Sequence, residues 1–214
     1  MIRLVLATGN RDKLREIEPL LRPAGVRLVA AGAIVPGWTV AEIADSLAEN
    51  GRLKARAAVA ACGLPAVADD TGLFVDALNG APGVRSSRYA GPGATYRDNV
   101  ARLLAALREV PADRRGARFR TVVVLARPDG AELLFEGALA GRIVEAPRGE
   151  AGFGYDPVFL PDGYDRTLAQ MALGEKNRLS HRARAFGAAA EFLATEPGWL
   201  AGGSRRKERT AGTD

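Results

Sequence analysis

Two adjacent carboxylates, Asp69 and Asp70, follow an apolar run at residues 64–68. The run has the length and flanks of a buried strand. Aspartate is depleted in strands, so two aspartates at this position need a functional or structural explanation. Since strand side chains alternate, the two carboxylates should point to opposite faces, so only one can face a given ligand. We predict that the strand ends here and that Thr71 and Gly72 turn the chain, at a sheet edge of the kind that binds ligands. The alternative is a polar strand end whose acids cap the next turn.

A polar loop at residues 8–13 is a second candidate for chemistry, because it follows the apolar residues 4–7 and precedes an amphipathic pattern. A strand, a polar loop and a helix start together offer backbone N–H groups to an anion, and Lys13 would add a full positive charge. The loop lacks the glycine spacing of a Walker A motif or a dinucleotide fingerprint, so it supports neither family. The alternative is an N-cap residue beside a solvent-exposed lysine.

Lysine is rare in this chain: only four of the 30 basic residues are lysines, at positions 13, 54, 176 and 207. In so arginine-rich a sequence, a lysine marks a place where a compact point charge is wanted. His181, the only histidine, lies near Lys176 and two arginines, which favours an anionic partner, although a packing role is the alternative. One histidine and one cysteine cannot form a His- or Cys-type metal site, so any metal would bind oxygen, which suggests Mg²⁺.

Two further stretches carry side chains that could face a ligand. The glycine-rich segment 152–159 holds Phe153 and Tyr155 in an irregular path, where aromatic rings can stack on a planar ligand; a core role is the alternative. Glu42 and Glu49 lie around the start of a predicted helix. Either glutamate could face a ligand, and a solvated charge is the alternative for each.

The elements that must position these residues follow from hydrophobic periodicity. The first part of the chain reads as strand and helix in alternation, and the middle reads as a hairpin around residues 128–130, so we predict an α/β protein with an antiparallel middle. The predicted strands cover residues 4–7, 26–30, 64–70, 118–126, 132–136 and 141–144, and the predicted helices cover residues 14–21, 46–62, 95–109 and 175–196.

The composition, with 47% hydrophobic and 26% charged residues, is that of an ordinary globular protein. No apolar run is long enough to span a bilayer, and the chain leads straight into a strand-like segment rather than a signal peptide, so we expect a cytoplasmic protein with no membrane partner. The single cysteine, Cys62, excludes a disulfide framework. We predict one domain at 1–200 and a basic, disordered tail at 201–214. That tail holds four basic and two acidic residues, so the rest of the +5 net charge is too weak a field to indicate nucleic-acid binding.

Five motifs occur in order in this chain: ATGNRDK, LAENGRLKA, ADDTGLFVDALNGAPGVRSSRYAG, FGYDPVF and EKNRLSHR. As a set they resemble the inosine triphosphate pyrophosphatase family, whose members hydrolyse non-standard purine nucleoside triphosphates, and the likeness extends from Leu4 to about Leu193. The resemblance implies an elongated α/β fold, in which a mixed sheet is flanked by helices and two lobes enclose a central cleft. It also implies a homodimer and the Mg²⁺-dependent release of pyrophosphate and a monophosphate from ITP, dITP or XTP.

The resemblance also implies roles for single residues, carried over by motif position. Asp70 would be the catalytic base and, together with Glu42, would hold Mg²⁺. A water deprotonated by Asp70 would attack the α-phosphorus, and a buried donor would meet the 6-keto oxygen of the purine. The substrate-binding residues that it implies are Thr8, Gly9, Asn10, Arg11, Asp12, Lys13, Lys54, Thr71, Phe153, Gly154, Tyr155, Asp156, Lys176, His181 and Arg182.

Four positions depart from the usual pattern of that family: Ile43 and Ala44 follow Glu42 in place of a small residue and glycine, Leu47 replaces phenylalanine, and Gly51 replaces alanine. One alternative function is a Maf-like pyrophosphatase that acts on modified pyrimidine or 7-methyl nucleotides, against which the FGYDP and SHR motifs argue. Another is a basic nucleic-acid-binding module, which steeply salt-dependent binding to RNA or DNA without hydrolysis would support.

Overall fold

The structure, a computed structural model, describes residues 3–202, so the tail predicted at 201–214 lies outside the described residues from position 203 onward. Over this range the chain forms one mixed sheet with helices packed on it. The strands are β1 (Arg3–Leu6), β2 (Arg27–Ala30), β3 (Ala66–Val75), β4 (Pro82–Gly83), β5 (Gly116–Ala126), β6 (Glu132–Ile143) and β7 (Phe159–Pro161). The helices are α1 (Arg11–Leu21), α2 (Ala31–Ile34), α3 (Leu47–Cys62), α4 (Tyr96–Ala106), α5 (Leu173–Leu179) and α6 (His181–Thr195).

The sheet is parallel where the chain starts and antiparallel where it continues. In the strand order β2-β1-β3-β5-β6-β7, β1 pairs in parallel with β2 and with β3. The pairs β3–β5, β5–β6 and β6–β7 are antiparallel, and the short β4 pairs with β3. The predicted α/β class with an antiparallel middle is therefore confirmed.

Polar caps fix the beginning of α1, α3 and α6, three of the helices that carry site residues. The side chain of Asn10 accepts hydrogen bonds from Asp12 N and Lys13 N at the start of α1. Ser46 caps α3 and Ser180 caps α6 in the same way, each through its hydroxyl oxygen. These oxygens satisfy backbone donors that the first helical turn leaves unpaired, so the side chains that follow have fixed positions.

Hydrophobic side chains pack on both faces of the sheet because strand side chains alternate. On one face, Leu6 of β1 packs with Phe186 of α6 and with α1. On the other face, Val5 packs with Ala58 of α3. A third cluster lies toward the other end of β3 and β5 and includes Leu73, Leu103, Phe119, Phe159 and Leu168.

The predicted strand end at Asp69 and Asp70 is wrong. β3 continues through both carboxylates and pairs with β5 along all ten of its residues. Gly72, which we expected to turn the chain, instead makes room for β4, because a Cβ on this residue would lie 2.6 Å from the Gly83 carbonyl oxygen. The chain turns only after β3, where Asn79 takes a left-handed conformation with φ of 51°.

Two other predicted boundaries are corrected. The strands expected at 132–136 and 141–144 are one strand, β6, which pairs with β5 from Glu132 to Arg142. The helix expected from residue 175 onward is two helices, because Ser180 has the extended angles φ −65° and ψ 154° and ends α5 while capping α6. Among residues 3–202, no helix is long and apolar enough to cross a membrane.

Candidate active site

A cavity of about 350 Å³, a size typical of small-molecule sites, lies between α1, β3, α3 and the start of α6. Most of the residues predicted from the motifs contribute to its wall. They are Thr8, Gly9, Asn10, Lys13, Glu42, Lys54, Asp70, Thr71, Phe153, Gly154, Tyr155, Asp156, Lys176, His181 and Arg182.

Arg11 and Asp12 are the two predicted substrate-binding residues that the structure does not bring to the cavity wall. Arg11 is exposed on the first turn of α1. Asp12 points toward Tyr96, whose hydroxyl lies 3.4 Å from its carboxylate, and toward Arg15. Residues 8–10 therefore face the cavity. Because α1 begins at Arg11, helical periodicity turns Arg11 and Asp12 away from the cavity and Lys13 toward it.

One end of the cavity holds two carboxylates around a single ammonium group. Lys54, on α3, donates to Asp70 Oδ1 at 2.7 Å and to Glu42 Oε1 at 2.9 Å. It also donates to the backbone carbonyl of Asp69 at 2.6 Å. Asn50, one turn earlier on α3, donates to the other Asp70 oxygen at 3.3 Å and bonds both backbone groups of Ala44. One helix thus positions both the strand carboxylate and the segment that carries Glu42.

Burial and charge act in opposite directions on these three groups. Burial raises the pKa of Asp70 above its ordinary value, and the attraction of Lys54 does not fully offset that effect. Burial also disfavours the charged form of Lys54, but the neighbouring carboxylates outweigh it and raise the lysine pKa. At Glu42, which is less enclosed, Lys54 outweighs burial and the pKa is lowered. Asp70 is therefore the more basic of the two carboxylates.

Asp69 faces the opposite side of β3, as strand alternation predicts. Its carboxylate lies 3.0 Å from Lys13 Nζ and 3.4 Å from Arg182 Nε, and it accepts a hydrogen bond from Thr71. Burial alone would raise the pKa of Asp69, but Lys13 and Arg182 outweigh it and hold the pKa well below the usual range. Asp69 does not contribute to the cavity wall, so it anchors two cations that do.

A second ion-pair network lies at the other end of the cavity. Lys176, on α5, pairs with Asp156 and, at 2.6 Å, with Glu16 of α1. Glu16 also accepts from Arg182 Nη1 at 2.5 Å, and all four side chains are buried. Glu16 was not among the predicted site residues, although its spacing of three residues from Lys13 places it on the same face of α1. Glu16 joins Lys176 to Arg182 and so fixes two of the cavity's cations.

Aromatic rings cover these cations. The Phe153 ring centroid lies 5.2 Å from Lys176 Nζ and 5.4 Å from Arg182 Cζ. The ring of His181 stacks on Phe119, with centroids 4.4 Å apart. Burial and the nearby Arg182 charge lower the pKa of His181 well below its ordinary value, so the imidazole is neutral at pH 7.

Tyr155 has a more structural position than the sequence suggested. Its side chain is buried, and its hydroxyl donates to the Ser86 carbonyl at 2.9 Å, while burial raises the pKa of the phenol. The aromatic pair of the FGYDP motif is therefore divided: Phe153 is the ring beside the cavity's cations, and Tyr155 holds the loop to the segment after β4.

The sequence model of the Ham1 family matches residues 4–192. The chain belongs to the Ham1 family. The resemblance inferred from the five ordered motifs is thereby confirmed, because the match covers the whole stretch that contains them.

Named relatives within this family cover almost the whole chain. A dITP/XTP pyrophosphatase from Symbiobacterium thermophilum is 52% identical over 192 residues, which is 89% of this chain and 94% of that protein. One from Methylococcus capsulatus is 49% identical over 204 residues, or 94% of this chain and 98% of that protein. The structure of a HAM1 protein from Coxiella burnetii is similar with a TM-score of 0.83 and 38% identity, covering 91% of this chain and all of that one.

The donor set of this Ham1-family cavity fits a hard divalent cation. Glu42 and Asp70 each direct an oxygen at the same positive group, Lys54 Nζ, so the two carboxylates converge on one region of the cavity wall. Between residues 3 and 202 no group of three or more His, Cys, Asp or Glu side chains is arranged to hold a metal. Two carboxylates with the remaining positions left to water and phosphate suit Mg²⁺. Glu49, the alternative to Glu42, pairs with Arg52 and does not contribute to the wall.

Proposed function

We propose that this Ham1-family protein hydrolyses the non-standard purine nucleoside triphosphates ITP, dITP and XTP to the nucleoside monophosphate and pyrophosphate. The observation that carries the proposal is a single cavity with two different ends. One end holds Asp70, Glu42 and Lys54, and the other holds Phe153 with its cations. A cavity with a carboxylate and lysine end and an aromatic end suits a triphosphate joined to a flat base, and the relatives named dITP/XTP pyrophosphatase support the same substrate class.

Charge neutralisation is the first requirement of the reaction, because a nucleoside triphosphate carries about four negative charges that repel an incoming nucleophile. Lys13, which pairs with Asp69, and Lys54, which pairs with Asp70, supply two positive charges to the cavity wall. Glu42 and Asp70 would hold Mg²⁺, which would supply further charge neutralisation and Lewis-acid polarisation of the phosphate oxygens.

Asp70 is the group best suited to take the proton of the attacking water. Its pKa is raised by burial, it reaches the cavity, and Asn50 and Lys54 fix both of its oxygens. The activated water attacks the α-phosphorus, the bond from that phosphorus to the bridging oxygen breaks, and pyrophosphate leaves. The nucleoside monophosphate is the second product.

Base discrimination would come from two fixed donors at the other end, the neutral imidazole of His181 and the guanidinium of Arg182. The Nδ1 atom of His181 is buried and has no hydrogen-bond partner among the described residues, so a ligand can satisfy it. A donor from His181 or Arg182 would meet the 6-keto oxygen of hypoxanthine or xanthine, whereas the amino group of adenine would leave that buried donor unpaired. The Phe153 ring would stack on either purine.

Substrate preference and the released product test the proposal together. We expect the purified protein with Mg²⁺ to release pyrophosphate from ITP, dITP and XTP at rates at least tenfold above those for ATP and GTP. For ATP, the reason is the buried donor that the 6-amino group of adenine leaves unpaired. Guanine carries the same 6-keto oxygen as hypoxanthine, so its rejection must act on its 2-amino group. Pyrophosphate and free phosphate are assayed in parallel, with and without EDTA. Activity confined to modified pyrimidine nucleotides would favour a Maf-like function, and release of free phosphate would contradict attack at the α-phosphorus.

Three predictions of the sequence belong with this proposal. A homodimer, a cytoplasmic location and one domain of two lobes at 1–200 are the assembly and context that the family resemblance and the composition imply. Sedimentation of the purified protein tests the dimer, since a molecule of one 22.6 kDa chain and a pair of chains sediment differently.

A further inference from the structure

Tyr96, the first residue of α4, contacts both ends of the cavity. None of the five ordered motifs includes α4. Its hydroxyl accepts a hydrogen bond from Asn10 Nδ2 at 3.0 Å, in the phosphate loop. Its ring centroid lies 5.7 Å from that of Phe153, with the rings tilted by 39°. These partners are separated from it by 86 and 57 positions in the chain, so one side chain joins two distant parts of the site.

The position of Tyr96 is set by the start of α4. The preceding residue, Thr95, caps the helix, and the side chains of Thr95 and Asp98 bond each other's backbone N–H groups. One turn later, Asn99 bonds the backbone of Ser87 and Ala90 and so ties the helix to the loop after β4. Because the helix is held at both points, the ring is held at the mouth of the cavity although it is 42% exposed.

The hydroxyl group of Tyr96 acts on the phosphate loop through Asn10. The oxygen of the Asn10 amide caps α1 by accepting from Asp12 N and Lys13 N, and its nitrogen donates to Tyr96. The hydrogen bond to Tyr96 therefore selects the amide orientation in which the cap forms and α1 begins in the right place for Lys13.

The ring of Tyr96 acts on the base end through Phe153. A glycine lies on each side of Phe153, and both glycines have positive φ, 72° for Gly152 and 66° for Gly154. Phe153 therefore lies in an irregular segment, where no helix or strand fixes the position of its ring. Lys176 and Arg182 approach the Phe153 ring, and Tyr96 packs against it from another element. An aromatic neighbour of this kind restricts the ring to the orientation in which it can receive a base.

We propose that Tyr96 is a positioning residue with two separable actions: its hydroxyl group orders the phosphate loop, and its ring orders Phe153 for stacking. The inference rests on the proposed function, because it assigns the two ends of the cavity to the phosphates and the base of one substrate. It extends the site beyond the five motifs to a residue that acts on both the phosphate end and the base end of the cavity.

Two variants separate the two actions. Tyr96→Phe removes the hydroxyl group only, and Tyr96→Leu also removes the ring. Calorimetric titration with tripolyphosphate, which has no base, and with inosine, which has no phosphate, reports on each end without turnover. Tyr164→Phe and Tyr164→Leu are matched controls, because Tyr164 is 41% exposed and does not contribute to the cavity wall.

We expect Tyr96→Phe to bind tripolyphosphate about fivefold more weakly and inosine unchanged, because the hydrogen bonds of the hydroxyl group to Asn10 and Asp12 are lost. Tyr96→Leu should in addition bind inosine about fivefold more weakly than the wild type, because the aromatic pair with Phe153 is lost. The KM for ITP should rise in the same order while kcat changes less than about twofold, as for lost ground-state binding. The Tyr164 variants should match the wild type.

Equal weakening of both probes in both variants, or unchanged affinities, would overturn the inference. A fall in kcat with KM unchanged would also overturn it, since it would make Tyr96 part of the chemical step. If the wild type fails to hydrolyse ITP, the proposed function is wrong, and the two titrations still decide whether Tyr96 orders the two ends.

Discussion

The two faces of β3 treat adjacent aspartates in opposite ways. On one face, Asp69 is enclosed with Lys13 and Arg182, and its pKa is held well below the usual range by those cations. On the other, Asp70 reaches the cavity and has one ammonium partner, Lys54, so burial prevails and its pKa is raised. The residue type and the strand are the same, and only the side of the sheet differs.

Because strand side chains alternate, two neighbouring aspartates can take different roles, one structural and one chemical. A carboxylate surrounded by cations is a poor base, because its proton affinity has been lowered, but it holds those cations in place. A carboxylate with fewer partners at a cavity wall keeps its basicity and has access to a ligand. Asp69 therefore serves as the anchor, and Asp70 is assigned as the base.

The largest expected effect is on Asp70. Asp70→Asn keeps the size of the side chain and removes its basicity, so turnover of ITP should fall by about three orders of magnitude, a loss typical of removing an essential base. The unfolding free energy should stay within about 1 kcal/mol of the wild type, because the exchange removes a buried carboxylate whose ionised form burial already disfavours.

Steady-state kinetics with ITP and urea unfolding measure the two quantities. Asp165→Asn is the matched control, since the Asp165 side chain is 96% exposed and should tolerate the same exchange without effect. Turnover by Asp70→Asn above a few per cent of the wild-type rate would assign the base to another group.

On the other face of β3, Asp69→Asn should chiefly reduce the stability of the fold, whereas Asp70→Asn should chiefly reduce turnover. The exchange removes the counter-charge that half-buried Lys13 and buried Arg182 share, so we expect a loss of about 3 kcal/mol in unfolding free energy. For a chain of this length that loss corresponds to a fall of roughly 10 °C in melting temperature. Calorimetry measures both values, and a melting temperature equal to that of the wild type would show that Asp69 is not the anchor.

A smaller effect concerns pH. Because the folded pKa of Asp69 is depressed, its stabilisation is fully present above the unfolded value of about 3.9 and is lost as the pH falls through the folded pKa. The difference in unfolding free energy between the wild type and Asp69→Asn should therefore narrow below about pH 4. Urea unfolding at pH 7, 5 and 3 measures it, and a difference independent of pH would contradict the account.

Local pattern predicted much of this fold and site. The helices predicted at 46–62 and 95–109 by periodicity are α3 and α4, whereas α1 begins at Arg11, inside the predicted loop at 8–13, rather than at residue 14. The rarity of lysine pointed to Lys13, Lys54 and Lys176, and all three contribute to the cavity wall. These features were accessible because each depends on neighbouring residues or on composition.

What the sequence could not predict depends on partners far away in the chain. The continuation of β3 past Asp70 follows from pairing with β5, which offsets the low strand propensity of aspartate and glycine. Glu16 resembled a solvated helix charge until α5 and α6 brought Lys176 and Arg182 against it. The position of Tyr96 could not be predicted for the same reason, since its partners Asn10 and Phe153 are far away in the chain.

Chemical rescue tests most directly the claim that Asp70 supplies the base from the cavity side. Asp70→Ala opens a space at the cavity wall that formate can enter, so ITP turnover should be near zero without formate and should rise and saturate as formate is added. Asp69→Ala should show no dependence on formate, because position 69 does not reach the cavity. Formate-independent turnover by Asp70→Ala above a few per cent of the wild-type rate would contradict the account.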